Sequence, residues 1–149
     1  MNNVLFYTWA LMTLTWMYSV IKKDVSIVDS VYAWIFILSC WVHAFPFPSS
    51  PPEIILNTMV TLWGLRLSIH IAVKNWGLPE DKRYQNFRQY YGARRYWWFS
   101  YFQVFLLQWL FALVFALPIH VHYMTSKDII LNPISYFGVL LFIFGFLYE

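Results

Sequence analysis

Leu62-Trp63-Gly64-Leu65-Arg66-Leu67-Ser68-Ile69-His70-Ile71-Ala72-Val73-Lys74-Asn75-Trp76-Gly77-Leu78-Pro79-Glu80-Asp81-Lys82-Arg83-Tyr84-Gln85-Asn86-Phe87-Arg88 is the stretch on which the fold turns. Its first half reads as the end of a membrane helix with an arginine, Arg66, set inside the apolar run. At Gly77 and Pro79 it breaks into a loop dense with acids, arginines and tyrosines. A charge inside a bilayer span costs about 2.5–3.5 kcal/mol on insertion scales, so Arg66 is a functional-site candidate. It shares a helix face with Trp63, His70 and Lys74, at offsets of three, four and eight residues. That stripe could line a wet cavity that grips a phosphate or carboxylate. The competing reading is snorkelling, since Arg66 sits roughly 12 Å from the end of the span.

Outward from this stretch the chain alternates long apolar runs with short charged connections. Of its 149 residues 60% are hydrophobic and only 11% charged, against about 25% charged in ordinary soluble domains. This is the layout of an all-α, polytopic membrane bundle in a single domain covering residues 1–149. Five spans are expected, near Val4–Ile21, Ser26–Phe45, Ile54–Val73, Phe99–Tyr123 and Ile129–Tyr148. The fifth is interrupted at Asn132-Pro133, and from Ile134 onward it reaches only about 22 Å of a ~30 Å hydrocarbon core. Pro46-Phe47-Pro48-Ser49-Ser50-Pro51-Pro52 reads as a stiff linker in which a continuous helix is not expected. The first apolar run has no basic residue before it, unlike a cleaved signal peptide, and is expected to be retained.

The formal charge of +3 is a sidedness signal. Lys22, Lys23, Lys74, Lys82, Arg83, Arg88, Arg94 and Arg95 fall on one side and Lys127 on the other. By the positive-inside rule the N-terminus is external, and the 75–98 loop and C-terminus are cytoplasmic. Nucleic-acid binding is not expected, because no soluble domain presents these cations. The lone Cys40 lies in an apolar run and reads as a small core residue. Arg94-Arg95-Tyr96-Trp97-Trp98 reads as an interfacial anchor.

Within the loop, Pro79 can open a short interfacial helix with Glu80 and Asp81 in its first turn, and Gly92 can stop it. Tyr84, Phe87 and Tyr91 then form an aromatic stripe. Arg83 and Arg88 could fork onto phosphates with Tyr84 stacked on a base, although the residues alone favour a self-paired helix in which Glu80 faces Arg83 and Tyr84. Asp29, one turn into the second span, reads as a cap or as a partner of Lys22 or Lys23. His120 and His122 lie two residues apart, so a shared metal needs a break in their helix; no metal is expected.

Ile27-Val28-Asp29-Ser30-Val31-Tyr32-Ala33-Trp34, then Trp63-Gly64-Leu65-Arg66-Leu67, then Glu80-Asp81-Lys82-Arg83-Tyr84 with Arg88, resemble in order and spacing the steroid 5-alpha-reductase-like family of membrane proteins, in its bacterial DUF1295-type branch. The resemblance implies an NADPH-dependent reductase of activated double bonds in steroid-like or fatty-acyl-like lipids, in a bacterial inner membrane. On its motif positions it places Arg66, Glu80, Asp81, Arg83, Tyr84 and Arg88 at the cofactor. It also implies a C-terminal half bearing an Arg-His-Pro-Asn-Tyr motif, so this chain is expected to be an N-terminal portion, inactive alone. Expected partners are membrane lipid, a lipid-like substrate and a complementing chain or second copy, because polar groups would otherwise lack partners. Three alternatives stay open: an isoprenylcysteine-methyltransferase-like scaffold using S-adenosylmethionine, a non-catalytic lipid- or partner-binding protein, and a decayed or split gene product.

Overall fold

The computed structural model describes residues 2–45, 50–125 and 131–148, which form helices joined by short connections. Among the described residues, four apolar helical stretches are long enough to cross a membrane: Asn3–Lys22, Ile27–Ala44, Pro51–Asn75 and Ala93–Phe115. The expected fifth span is the shorter helix α9, Pro133–Tyr148, and Ile129 and Ile130 lie outside the described residues.

The first helix, α1 (Asn2–Lys22), ends in a Schellman turn. Lys23 adopts a left-handed φ of 56°; its N–H donates to Val20 O at 3.3 Å, and Asp24 N–H donates to Ser19 O at 3.0 Å. The second span is two helices, α2 (Ile27–Val31) and α3 (Trp34–Ala44), with a turn at Tyr32-Ala33. In the third, α4 (Pro51–Asn75), the helix starts within the proline-rich linker. Pro51 and Pro52 occupy the first turn, where no intrahelical N–H is needed, and Glu53 accepts the Ser50 N–H at 2.8 Å. The linker's remainder, 46–49, lies outside the described residues.

The short helix α5 (Lys82–Tyr91) begins three residues later than Pro79 suggests. Asp81 is its N-cap, its carboxylate accepting Arg83 N–H at 2.8 Å, so Pro79 and Glu80 remain outside the helix. Gly92, at φ 78°, turns the chain into α6 (Ala93–Ser100). The predicted anchor 94–98 is therefore the opening of the fourth span. That span continues through a π-helical segment (Tyr101–Leu106), α7 (Leu107–Phe115) and α8 (Leu117–Thr125).

The core runs from Met12 through Val28, Ile35 and Phe36 to Phe105 and Ala112, and Tyr84 and Tyr96 close it at the end carrying the lysines and arginines, called the basic end below. Cys40 is fully buried, as a small core residue should be. Indole N–H groups zip α1 to the fourth span: Trp9 Nε1 to Tyr101 OH at 3.1 Å, Trp16 Nε1 to Trp97 O at 3.0 Å and Trp109 Nε1 to Thr8 Oγ1 at 3.0 Å. Such bonds suit helices in lipid, where no water competes for the donor. By contrast α9 contributes no buried residue.

Candidate functional site at the basic end

Two ion-pair centres organise the loop between α4 and α6. In the first, Asp29 of α2 accepts from Arg83 Nη2 at 3.3 Å, from Tyr84 OH at 3.2 Å and from Gln108 Nε2 at 3.4 Å. Arg83 also holds Asp81, through Nε at 3.1 Å and Nη2 at 3.2 Å. Asp29 is thus neither a cap nor a partner of Lys22 or Lys23. It is the junction where α2, α5 and α7 meet, because Tyr84 and Gln108 reach it from the core side while Arg83 reaches it from solvent. Burial, then the Asp29 charge, push the Tyr84 phenol well above its ordinary range, so it stays protonated and donates. Bonds from Arg83 hold the Asp81 carboxyl below the usual carboxylate range.

In the second centre, Glu80 accepts from Arg88 Nη2 at 2.8 Å and Nε at 3.1 Å, and from Val25 N–H at 2.9 Å. The Glu80 backbone carbonyl accepts from Gln85 Nε2. Arg88 Nη2 also donates to Lys23 O at 3.2 Å, and its guanidinium lies 5.0 Å from the Tyr96 ring centre. Together with Asp81 N–H donating to Ser26 Oγ at 2.7 Å, these bonds staple the loop onto the α1–α2 connection. The expected pairing of Glu80 with Arg83 and Tyr84 gives way to Arg88, eight residues on, because Glu80 precedes the helix and turns back toward Val25.

The six residues grouped on one cofactor therefore fall into three places. Asp81 and Arg83, with Asp29, Lys74, Asn75 and Gln108, line the polar part of a cleft of about 690 Å³. Tyr32, Leu67, Ile71, Phe111 and Phe115 form its apolar walls, and Tyr84 supports Asp29 from behind. Glu80 and Arg88 sit on the far side of α5, where Arg88 lines a second cleft. Arg66 lines a 60 Å³ recess with Trp63, Leu67 and His70. There Arg66 Nη1 donates to Phe146 O at 2.8 Å, and its guanidinium lies 4.9 Å from the Phe146 ring centre. The intramembrane arginine is a docking point for the last turn of α9, where the helix dipole favours a cation.

Sequence reasoning missed Gln108. Its Oε1 is buried with no hydrogen-bond donor among the described residues. The signal was available, since a glutamine in an apolar span is itself expensive. The π-helical turns just before it are a further mark of functional sites in helices. The opposite end holds a polar knot of which the sequence singled out only His120: His43 and His120 bond at 2.9 Å, and Tyr123 stacks on His43 while donating to Asn57 Oδ1 at 2.5 Å. No cluster of three or more metal-ligating side chains exists among the described residues.

Four spanning-length helices among the described residues, three of which line a polar-ended, apolar-walled cleft, define a multi-pass helical membrane protein. The family described as "Protein of unknown function (DUF1295)" matches residues 15–149, and the chain belongs to that family. No curated protein and no solved structure matches it.

Proposed function

We propose that the cleft around Asp29 binds the oxygenated end of a membrane lipid, and that this protein supplies the substrate-facing part of a lipid double-bond reductase on the cytoplasmic side of a bacterial inner membrane. The observation that carries the reading is Gln108 Oε1, a buried acceptor lacking a donor, beside Asp29 in an apolar-walled cleft. An unmet acceptor in such surroundings costs about 1–3 kcal/mol and is offset by a ligand hydroxyl or N–H. A carbonyl oxygen beside that hydroxyl accepts from Arg83 Nη1, which makes no bond to a described residue. A donor on that oxygen draws electrons from a conjugated double bond, the polarisation that reduction of an activated alkene needs.

The hydride donor implied by the resemblance is NADPH, and the residues lining this cleft do not fit its phosphates. The charge of Arg83 is neutralised by Asp29 and Asp81, and that of Arg88 by Glu80. Lys74 is the one lining cation without a carboxylate partner among the described residues. A pyrophosphate with a 2′-phosphate needs more positive charge than that. No hydride step is therefore assigned to these side chains.

The test is thermal unfolding of the protein in neutral detergent with a steroid-like enone bearing a hydroxyl, with NADPH and with S-adenosylmethionine, each alone. The enone should raise the midpoint, and Gln108→Leu or Asp29→Asn should weaken its binding about fivefold or more. A midpoint raised by NADPH alone would overturn the charge argument, and equal enone binding by both variants would overturn the site. Membranes containing the protein that bind the enone without consuming it on addition of NADPH would favour a non-catalytic lipid-binding role.

A further inference from the structure

We infer that the second cleft, on the other side of α5, is a binding site for the head group of a singly charged anionic phospholipid. This cleft, of about 590 Å³, shares no lining residue with the Asp29 cleft. It opens between the end of α1 and the start of α6. Lys23, Arg88 and Tyr96 are its functional groups, and Val20, Val25 and Trp97 are among its walls.

Three observations point to a ligand. First, Tyr96 is fully buried, yet its hydroxyl has no hydrogen-bond partner among the described residues. The serines beside it are already spent, Ser19 Oγ on Trp16 O at 2.7 Å and Ser100 Oγ on Trp97 O at 2.8 Å. Secondly, Lys23 occupies the left-handed position of a Schellman turn, where glycine is the unstrained choice. A lysine held in that conformation at a cleft wall is strain of the kind found at ligand sites. Thirdly, the charges leave a remainder. Arg88 is neutralised by Glu80, whereas the Lys23 ammonium makes no ion pair among the described residues.

One uncommitted cation and one uncommitted hydroxyl donor match a phosphodiester bearing a single negative charge. The apolar walls suit the first carbons of its acyl chains, and Trp16, Trp97 and Trp98 gather beside the cleft as an interfacial aromatic belt does.

Native mass spectrometry of the full chain in neutral detergent, titrated with phosphatidylglycerol, phosphatidylcholine or inorganic phosphate, tests this. Phosphatidylglycerol should bind at least about tenfold more tightly than phosphatidylcholine. Tyr96→Phe should weaken it roughly tenfold, the loss of one hydrogen bond to a charged group. Lys23→Gly should weaken it about fivefold while the ligand-free protein unfolds no lower than the parent, since glycine relieves the turn. Arg95→Gln, on a basic residue outside the cleft, should change neither. Equal affinity for the two lipids, or unchanged phosphatidylglycerol binding in both cleft variants, would overturn the assignment. Displacement of the lipid by millimolar inorganic phosphate would reassign the cleft to a soluble anion.

Discussion

Asp81 performs two separable jobs. Its carboxylate caps α5 through Arg83 N–H, and its charge pairs with the Arg83 guanidinium. Asparagine caps a helix about as well as aspartate but carries no charge. Because the Asp81 carboxyl is held below its ordinary value, its charge stabilises the fold above about pH 4 and that contribution is lost as the pH falls through the depressed value. Asp81→Asn should therefore unfold at a lower temperature than the parent at pH 7, and the gap should close on acidification below pH 4. A gap independent of pH in thermal melts would show that the charge contributes nothing. The same residue shows what sequence could and could not say. That Asp81 lies at a helix start was legible from Pro79 and the acids; that it is the cap and not the first turn depended on Glu80 being pulled back to Val25 and Arg88.

Between elements, α3 and α4 approach closely at Gly64. A Cβ added at Gly64 would lie 2.9 Å from Ile37 Cγ1 and Cδ1 and 3.4 Å from Ala33 O. Small residues permit such approaches between membrane helices, where packing and not water drives association. Gly64→Val should cost about 1–3 kcal/mol of stability by overpacking. Adding Ile37→Ala should recover part of that loss, and a double-mutant cycle in detergent melts measures the coupling. Strict additivity would place the damage elsewhere. Gly64 sits inside the Trp63-Gly64-Leu65-Arg66-Leu67 motif, so a signature that reads as chemistry is in part a packing requirement. The bare apolar pattern of α4 gave no warning of this, because in a lipid-facing helix every side looks buried.

For the molecule as a whole, eight lysines and arginines gather at one end, which argues for a cytoplasmic location of that end. Gln89 and Thr125 are exposed at opposite ends, and Cys40 is fully buried and should stay silent toward thiol reagents. A membrane-impermeant maleimide should label Thr125→Cys in intact cells and Gln89→Cys only after the membrane is opened. The reverse pattern would invert the topology and move both clefts to the outer face. The shallow attachment of α9, which buries no residue and is bonded by Arg66 at Phe146, marks the least secured part of the bundle.

Helix class, the number and rough limits of the long apolar runs and the clustering of cations at one end were carried by the residues in chain order. These follow from composition and local periodicity, which act over a few turns and do not need a partner. The loop's charges were legible as a group, but their assignments were not. Whether Arg83 meets a cofactor or Asp29, whether Arg88 meets a phosphate or Glu80, and whether Arg66 lines a cavity or holds α9 depends on what stands opposite each guanidinium. Those partners lie from two to eighty residues away in sequence, and the folded packing of α2, α4, α5 and α9 is what brought them within 3.3 Å.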